Sequence, residues 1–200
     1  MSDTWVDDVV KSVGWIKQTM QGRIAISDEE IKLFLKTIYA QMCYVEIGCL
    51  WGGTAILAAV LGDVKKVITI DKSEVGYWDT GDTGIPGKPV VTLRAVLENF
   101  AKFGTADRIN LVVAKSDPWP LRVDLRPDVV MIDGDHSYEG CLRDWKNVSK
   151  ICDVVMLHDY QSGRHPGVDR VMDEVIREDA RWKIREQAGT LVVVERVDTA

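Results

Sequence analysis

Apolar positions along the first forty residues recur at helical spacing. Trp5, Val9, Val10, Val13 and Ile16 fall on one face of a first helix. Ser27 with Glu30 three residues on forms a capping box, and Ile31, Leu33, Phe34, Leu35 and Ile38 follow as the apolar stripe of a second helix. From residue 44 the pattern changes to short, nearly continuous apolar runs alternating with amphipathic stretches. Strands are expected at Tyr44–Gly48, Val67–Asp71, Ile109–Val113, Asp128–Ile132 and Val154–Leu157. Helices are expected between them at Thr54–Leu61, 91–103, 138–150 and Val168–Glu178. Strands apolar on both faces, separated by helices, imply a parallel sheet covered on both sides. The last two runs, Trp182–Arg185 and Thr190–Val197, are joined across Gln187-Ala188-Gly189. So short a link permits an antiparallel hairpin and forbids a parallel crossover, so one reversed strand is expected at the sheet edge. Residues 72–90 are polar, rich in Gly and Pro, and long for a βα connection, and read as a loop over the ligand face.

Two hundred residues with 46% hydrophobic content suit one domain with a full core. The net charge of −6 argues against a nucleic-acid footprint. Cys43, Cys49, Cys141 and Cys152 lack the spacing of a zinc site and read as buried reduced thiols, which fits a cytoplasmic protein. No run reaches the roughly 20 apolar residues of a membrane span, so no membrane partner is expected. The amphipathic N-terminal helices suit either a homodimer or higher homo-oligomer, or a cover over their own domain.

Ligands of open parallel sheets bind beyond the carboxyl ends of the strands, so the residues there carry the chemistry. Glu46-Ile-Gly48-Cys-Leu-Trp-Gly52-Gly53-Thr54 is a glycine turn from strand into helix, where backbone can approach a ligand and helix N–H groups face an anion. Its glycines fall four and five places after Gly48, so the dinucleotide fingerprint GxGxxG is absent. Asp71 ends the second strand, where a carboxylate can accept both ribose hydroxyls. Asp133-Gly134-Asp135-His136-Ser137-Tyr138 follows the fourth strand, and His158-Asp159-Tyr160 the fifth. Adjacent acidic strand ends repel unless a cation or substrate offsets them. Carboxylates suit Mg²⁺ or Ca²⁺, and added histidine suits Mn²⁺ or Fe²⁺ as well. Asp135 also suits a helix cap, and His158 a satisfied core position. Trp51, Tyr77, Trp78, Trp119, Tyr138 and Tyr160 fall on or near the ligand-side loops, and His165 stands before Pro166 where the next helix starts.

The glycine loop, Asp71 and the two acidic strand ends together resemble the class I S-adenosylmethionine-dependent methyltransferases. Ile132-Asp-Gly-Asp-His-Ser-Tyr138 and Leu157-His-Asp-Tyr160 are similar to the small-molecule O-methyltransferase branch, with its macrocin-type, catechol-type and cephalosporin hydroxylase-like relatives. The resemblance covers residues 40–197. It implies a Rossmann-like, doubly wound, seven-stranded α/β sheet with an antiparallel C-terminal hairpin strand, as a domain over 41–200 with a helical extension over 1–40. It further implies S-adenosylmethionine as cofactor, a small-molecule acceptor and a divalent cation, Mg²⁺ or another. Glu46, Gly48, Gly52, Gly53 and Thr54 would then hold the methionine part, Asp71 the ribose, and Ser116 and Asp117 the adenine edge. Asp133 would touch the cofactor amine and, with His158 and Asp159, hold the metal. Asp133, His136 and His158 are the candidate catalytic groups, any of them a general base if no metal binds. Relatives carry Asp-Asp or Asp-Asn where this chain has His158-Asp159. Three rival readings are a nicotinamide-dependent oxidoreductase, which lacks its glycine fingerprint here, a non-catalytic nucleotide-binding module, and a metal-dependent hydrolase, which leaves the glycine loop unexplained.

Overall fold

A computed structural model describes residues 3–72, 91–122 and 124–197. Two helices, α1 (Asp3–Thr19) and α2 (Asp28–Ile38), precede β1 (Cys43–Ile47), α3 (Gly53–Val60), β2 (Lys66–Asp71), α4 (Leu93–Lys102), β3 (Ile109–Val113) and β4 (Val129–Ile132). Then come α5 (Tyr138–Val148), β5 (Val154–Leu157), α6 (Pro166–Val171), β6 (Trp182–Ala188) and β7 (Leu191–Arg196). The helix expected over Val168–Glu178 starts two residues earlier, with Pro166 in its first turn, and widens into a π-helical turn over Met172–Ile176. Ser27 caps α2: its hydroxyl accepts from Glu30 N at 3.3 Å, and Glu30 Oε2 accepts from Ser27 N at 2.6 Å. The expected loop over 72–90, with Tyr77 and Trp78, lies outside the described residues apart from Lys72.

The seven strands run in the order β3-β2-β1-β4-β5-β7-β6. β1 to β5 are mutually parallel, and β7 pairs antiparallel with both β5 and β6. The reversed strand is therefore β7, one place in from the edge, and β6 forms the edge itself. Burial follows from that position. β7 is flanked on both sides and buries Leu191 to Val194 in succession, whereas β6 alternates buried or half-buried with exposed positions from Trp182 onward.

Alternation along the strands divides the core. Tyr44, Val67, Val129, Met131, Met156 and Val193 pack on one face against α1 to α4. Val45, Ile47, Val130, Ile132, Val155 and Leu157 pack on the other against α5 and α6. Val13 and Ile16 of α1 and Ile31, Phe34, Leu35 and Ile38 of α2 are buried in the first of these clusters, so the N-terminal helices cover their own sheet. Among the described residues no helix is long and apolar enough to cross a membrane.

Candidate active site

The register of the sheet lines up the chemistry. Ile47 pairs with Ile70 and Ile132, and Ile132 with Leu157. The next position on these four parallel strands is Gly48, Asp71, Asp133 and His158, one row along a single carboxyl edge.

Gly48 opens the turn after β1 at φ +96°, a left-handed conformation that side chains rarely adopt. A Cβ there would stand 2.1 Å from the Asp133 carbonyl oxygen, so glycine lets the ends of β1 and β4 touch. Glu46, just before it, is 1% exposed. Its Oε2 accepts from the Thr54 hydroxyl at 2.7 Å and the Tyr44 hydroxyl at 3.0 Å, while its buried Oε1 has no hydrogen-bond partner. Burial pushes the Glu46 carboxyl up to about 7, against the pull of those hydrogen bonds. Thr54 lies in the first turn of α3, and Gly52 and Gly53 lead into that helix without a side-chain cap. Cys49 N–H donates to Asp71 Oδ2 at 2.8 Å, which ties the glycine loop to the end of β2.

Asp133 and Asp159 meet around three histidines. Asp133 Oδ1 lies 3.2 Å from His158 Nδ1 and 3.3 Å from His136 Nε2. Asp159 Oδ2 lies 3.1 Å from His136 Nε2, 3.5 Å from His158 Nδ1 and 3.6 Å from His165 Nε2. Asp159 reaches them from a left-handed backbone, φ +65°, which costs about 1–2 kcal/mol. His136 and His165 stack with ring centroids 4.2 Å apart. The far side of His158 faces the Thr190 hydroxyl at 3.4 Å and Glu30 Oε1 at 3.8 Å. Glu30 Oε1 also accepts from Thr190 N and Oγ1, both at 2.7 Å. Burial alone would lower the His158 imidazolium, but the charge and hydrogen bond of Asp133, then Asp159 and Glu30, push it up to about 12. His136, likewise opposed by burial, is pushed up to about 9 by Asp133 and Asp159. Asp159 is held well below the ordinary carboxylate range, its burial outweighed by His136 and His158.

The residues brought together are thus Glu46, Gly48, Thr54 and Asp71 on one part of the edge and Asp133, His136, His158 and Asp159 on the other. Ser116 is drawn elsewhere: its hydroxyl donates to Asp144 Oδ1 of α5 at 2.5 Å. Asp117 is exposed beside it. Asp135 accepts from Ser137 N at 3.0 Å and faces Arg143 at 3.8 Å, which makes it a support of the α5 start. Trp51 and Tyr160 are buried in the core, while Tyr138 lines a cleft of about 510 Å³ together with His136, His165, Arg164 and Arg170. The cysteines are free, and all but half-buried Cys43 are buried. Three participants escaped the sequence reading as site groups. Glu30 is legible only as a helix cap, Thr190 carries no signal at all, and Asp144 looks like one more polar helix residue.

Residues 45–160 match a family described as "Methyltransferase domain". No curated protein sequence matches the chain. Among solved structures, a candidate RNA methyltransferase from Pyrococcus horikoshii is similar over the whole of both chains, with TM-score 0.64 at 12% identity. An O-methyltransferase from Bacillus cereus in complex with S-adenosylhomocysteine matches at TM-score 0.61 and 16% identity, over 98% of this chain and 92% of that one. The O-methyltransferase TomG from Streptomyces achromogenes, in complex with S-adenosylmethionine, matches at TM-score 0.61 and 16% identity, over 98% and 91%. At such identities these likenesses speak for the fold, and the family match covers more than half of the chain. The chain belongs to the methyltransferase-domain family and is a class I S-adenosylmethionine-dependent methyltransferase.

Proposed function

We propose that this enzyme methylates an oxygen of a small molecule, with a divalent cation at Asp133, His158 and Asp159. The observation that carries the reading is the convergence of Asp133 and Asp159, from neighbouring strand ends, on shared histidines beside an open cleft. Both the Bacillus cereus and Streptomyces achromogenes neighbours are O-methyltransferases, which favours an oxygen acceptor.

The residues fit the cofactor. Glu46 Oε1, buried and unpartnered, is the kind of acceptor that an ammonium group satisfies. The uncapped N-terminus of α3 after Gly52 and Gly53, next to Thr54, suits a carboxylate. Asp71 would accept the ribose hydroxyls and Asp117 would contact the adenine edge, while the Ser116 hydroxyl is committed to Asp144. S-adenosylmethionine supplies a methyl group on a sulfonium centre. The donor set of two carboxylates and His158 Nδ1, mutually 3.2–3.5 Å apart where His158 is concerned, also fits a divalent ion. Such an ion orients an acceptor hydroxyl and lowers its pKa.

The protein's own contribution is mainly position. Transfer requires a new O–CH₃ bond to form in line as the S–CH₃ bond breaks, with the hydroxyl proton leaving. Alignment of two reactants by a rigid site is worth roughly 7–11 kcal/mol. His136, half-buried between Asp133 and Asp159, stands at the mouth of the cleft, where an acceptor proton would depart.

Calorimetry with S-adenosylhomocysteine and with NADH tests the cofactor: binding of the first alone is expected. Excess EDTA is expected to abolish turnover, and unchanged turnover would remove the cation. Asp133→Asn is expected to lose far more rate than Asp135→Asn, because Asp133 meets His136 and His158 whereas Asp135 bonds the start of α5 at the cleft wall; equal losses would refute that division.

A further inference from the structure

We infer that the ion at this edge is a borderline first-row transition ion (Mn²⁺, Fe²⁺, Co²⁺ or Zn²⁺) and that His136 and His165 are among its ligands. The inference rests on the cation-assisted reading above and replaces its three-residue donor set by a histidine-rich one.

Five groups from three segments form two overlapping sets that meet at Asp159. His136, Asp159 and His165 form one set whose donor atoms lie within 4.8 Å of one another, and Asp133, His158 and Asp159 form a second that shares Asp159. Ligands held at about 2.0–2.2 Å from a common ion stand roughly 3–3.5 Å from each other. The nitrogen-to-oxygen distances here, 3.1, 3.2, 3.3, 3.5 and 3.6 Å, lie in or just beyond that window. The set of His136, His165 and Asp159, two imidazoles and one carboxylate, is a poor environment for Mg²⁺, which takes oxygen ligands and keeps its waters. It suits ions that accept imidazole nitrogen.

The surroundings hold this set in place. His158 turns its second nitrogen to Thr190 and Glu30, the outer-shell arrangement that orients a ligating histidine. Asp159 adopts a left-handed backbone and faces all three histidines. Gly167 allows the His165 turn to reach His136: a Cβ there would stand 2.4 Å from both His136 O and Tyr138 N. His136 and His165 are 30% and 34% exposed along their side chains and line the cleft, so the ion would keep open positions on the side where an acceptor enters. A site made only to pair charges would not need His165, whose nearest carboxylate already has two other histidines.

The test is metal binding by chelator-treated protein, followed by the visible absorption of Co²⁺ and by calorimetry with Mg²⁺. Expected are the Co²⁺ bands of a nitrogen-containing site, not displaced by a roughly thousandfold excess of Mg²⁺. His136→Ala and His165→Ala are each expected to weaken Co²⁺ binding roughly tenfold or more and to alter the spectrum. His165→Gln repeats the measurement with the side-chain bulk kept, and retained S-adenosylhomocysteine binding reports that each variant is folded. Unchanged Co²⁺ affinity and spectrum in the His165 variants overturn the inference. If Mg²⁺ binds as tightly as Co²⁺ and only Asp133→Asn removes it, this inference falls and the cation-assisted reading stands. A wild-type protein that binds S-adenosylhomocysteine and methylates without binding any divalent ion overturns both.

Discussion

Glu46 offers a test of how the cofactor loop is built. Its carboxyl is buried, one oxygen has no partner, and burial lifts its pKa from the usual 4.5 to about 7. The folded protein therefore holds the Glu46 proton more tightly than the unfolded chain does. Below about pH 4.5 both states are protonated and the site costs nothing. As pH rises toward 7 the unfolded chain releases its proton first, so stability falls, and above 7 the full deficit is present. Each pKa unit is worth about 1.4 kcal/mol, so the deficit amounts to about 3 kcal/mol. Glu46→Gln cannot ionise, keeps an oxygen for Tyr44 and Thr54, and is expected to remove most of that deficit. For a chain of this size 1 kcal/mol moves the melting temperature by about 2–4 °C, so the cofactor-free variant should melt up to about 10 °C higher at pH 8. At pH 4.5 the two proteins should melt together. S-adenosylhomocysteine binding should weaken at the same time, because an amide is a poorer acceptor for an ammonium group. Thermal melts at the two pH values decide the matter: an equal difference at both would mean that Glu46 is not a strained buried carboxylate.

Other perturbations probe the rest of the edge. Asp71→Asn is expected to weaken S-adenosylhomocysteine binding roughly 10- to 100-fold, the worth of a charged hydrogen bond, and an unchanged Kd in calorimetry would free Asp71 from the ribose. Gly48→Ala forces a Cβ onto the Asp133 carbonyl at φ +96° and should cost about 2–4 kcal/mol in urea unfolding; a wild-type midpoint would contradict the close approach of β1 and β4. Glu30→Ala removes half of a capping box and both Thr190 contacts, and should cost about 2–3 kcal/mol by the same measurement with an unchanged m-value.

What could be read from the chain alone follows from which interactions are local. Continuous apolar runs such as Val129 to Ile132 and Val154 to Leu157 mark buried parallel strands because both faces of such strands are covered. Strand ends then locate Gly48, Asp71, Asp133 and His158 without any knowledge of contacts, and the register confirms that they share a row. The place of β7 was also written in the sequence. Leu191-Val-Val-Val194 has the continuous pattern of an inner strand, whereas Trp182-Lys-Ile-Arg185 alternates as an edge strand does. The hairpin link fixes only their mutual direction, which is why the reversed strand was expected at the edge. Hydrogen-bond partners were not legible. Ser116 can serve adenine or Asp144 equally well by type, and Thr54 can cap α3 or bond to Glu46; only the packing of α5 and of Tyr44 decides between them.

Glu30 shows how far such a partner can lie from the site in sequence and still define it. A capping box is a local device, satisfied within four residues, and Glu30 performs it with Oε2. Its other oxygen receives both donors of Thr190 in the β6–β7 turn and faces His158 from the side opposite Asp133. One buried carboxylate therefore ties the N-terminal helices to the last hairpin and faces the His158 imidazole as well. Two alternatives are thereby separated for residues 1–40. A helical segment that merely shielded the sheet could be exchanged for any apolar cover. Here α2 supplies a charged group to the histidine–carboxylate cluster, and loss of that charge leaves His158 Nε2 with the Thr190 hydroxyl but no carboxylate on that side. The extension is thereby joined to the histidine–carboxylate cluster, through a Glu30 carboxylate 3.8 Å from His158 Nε2.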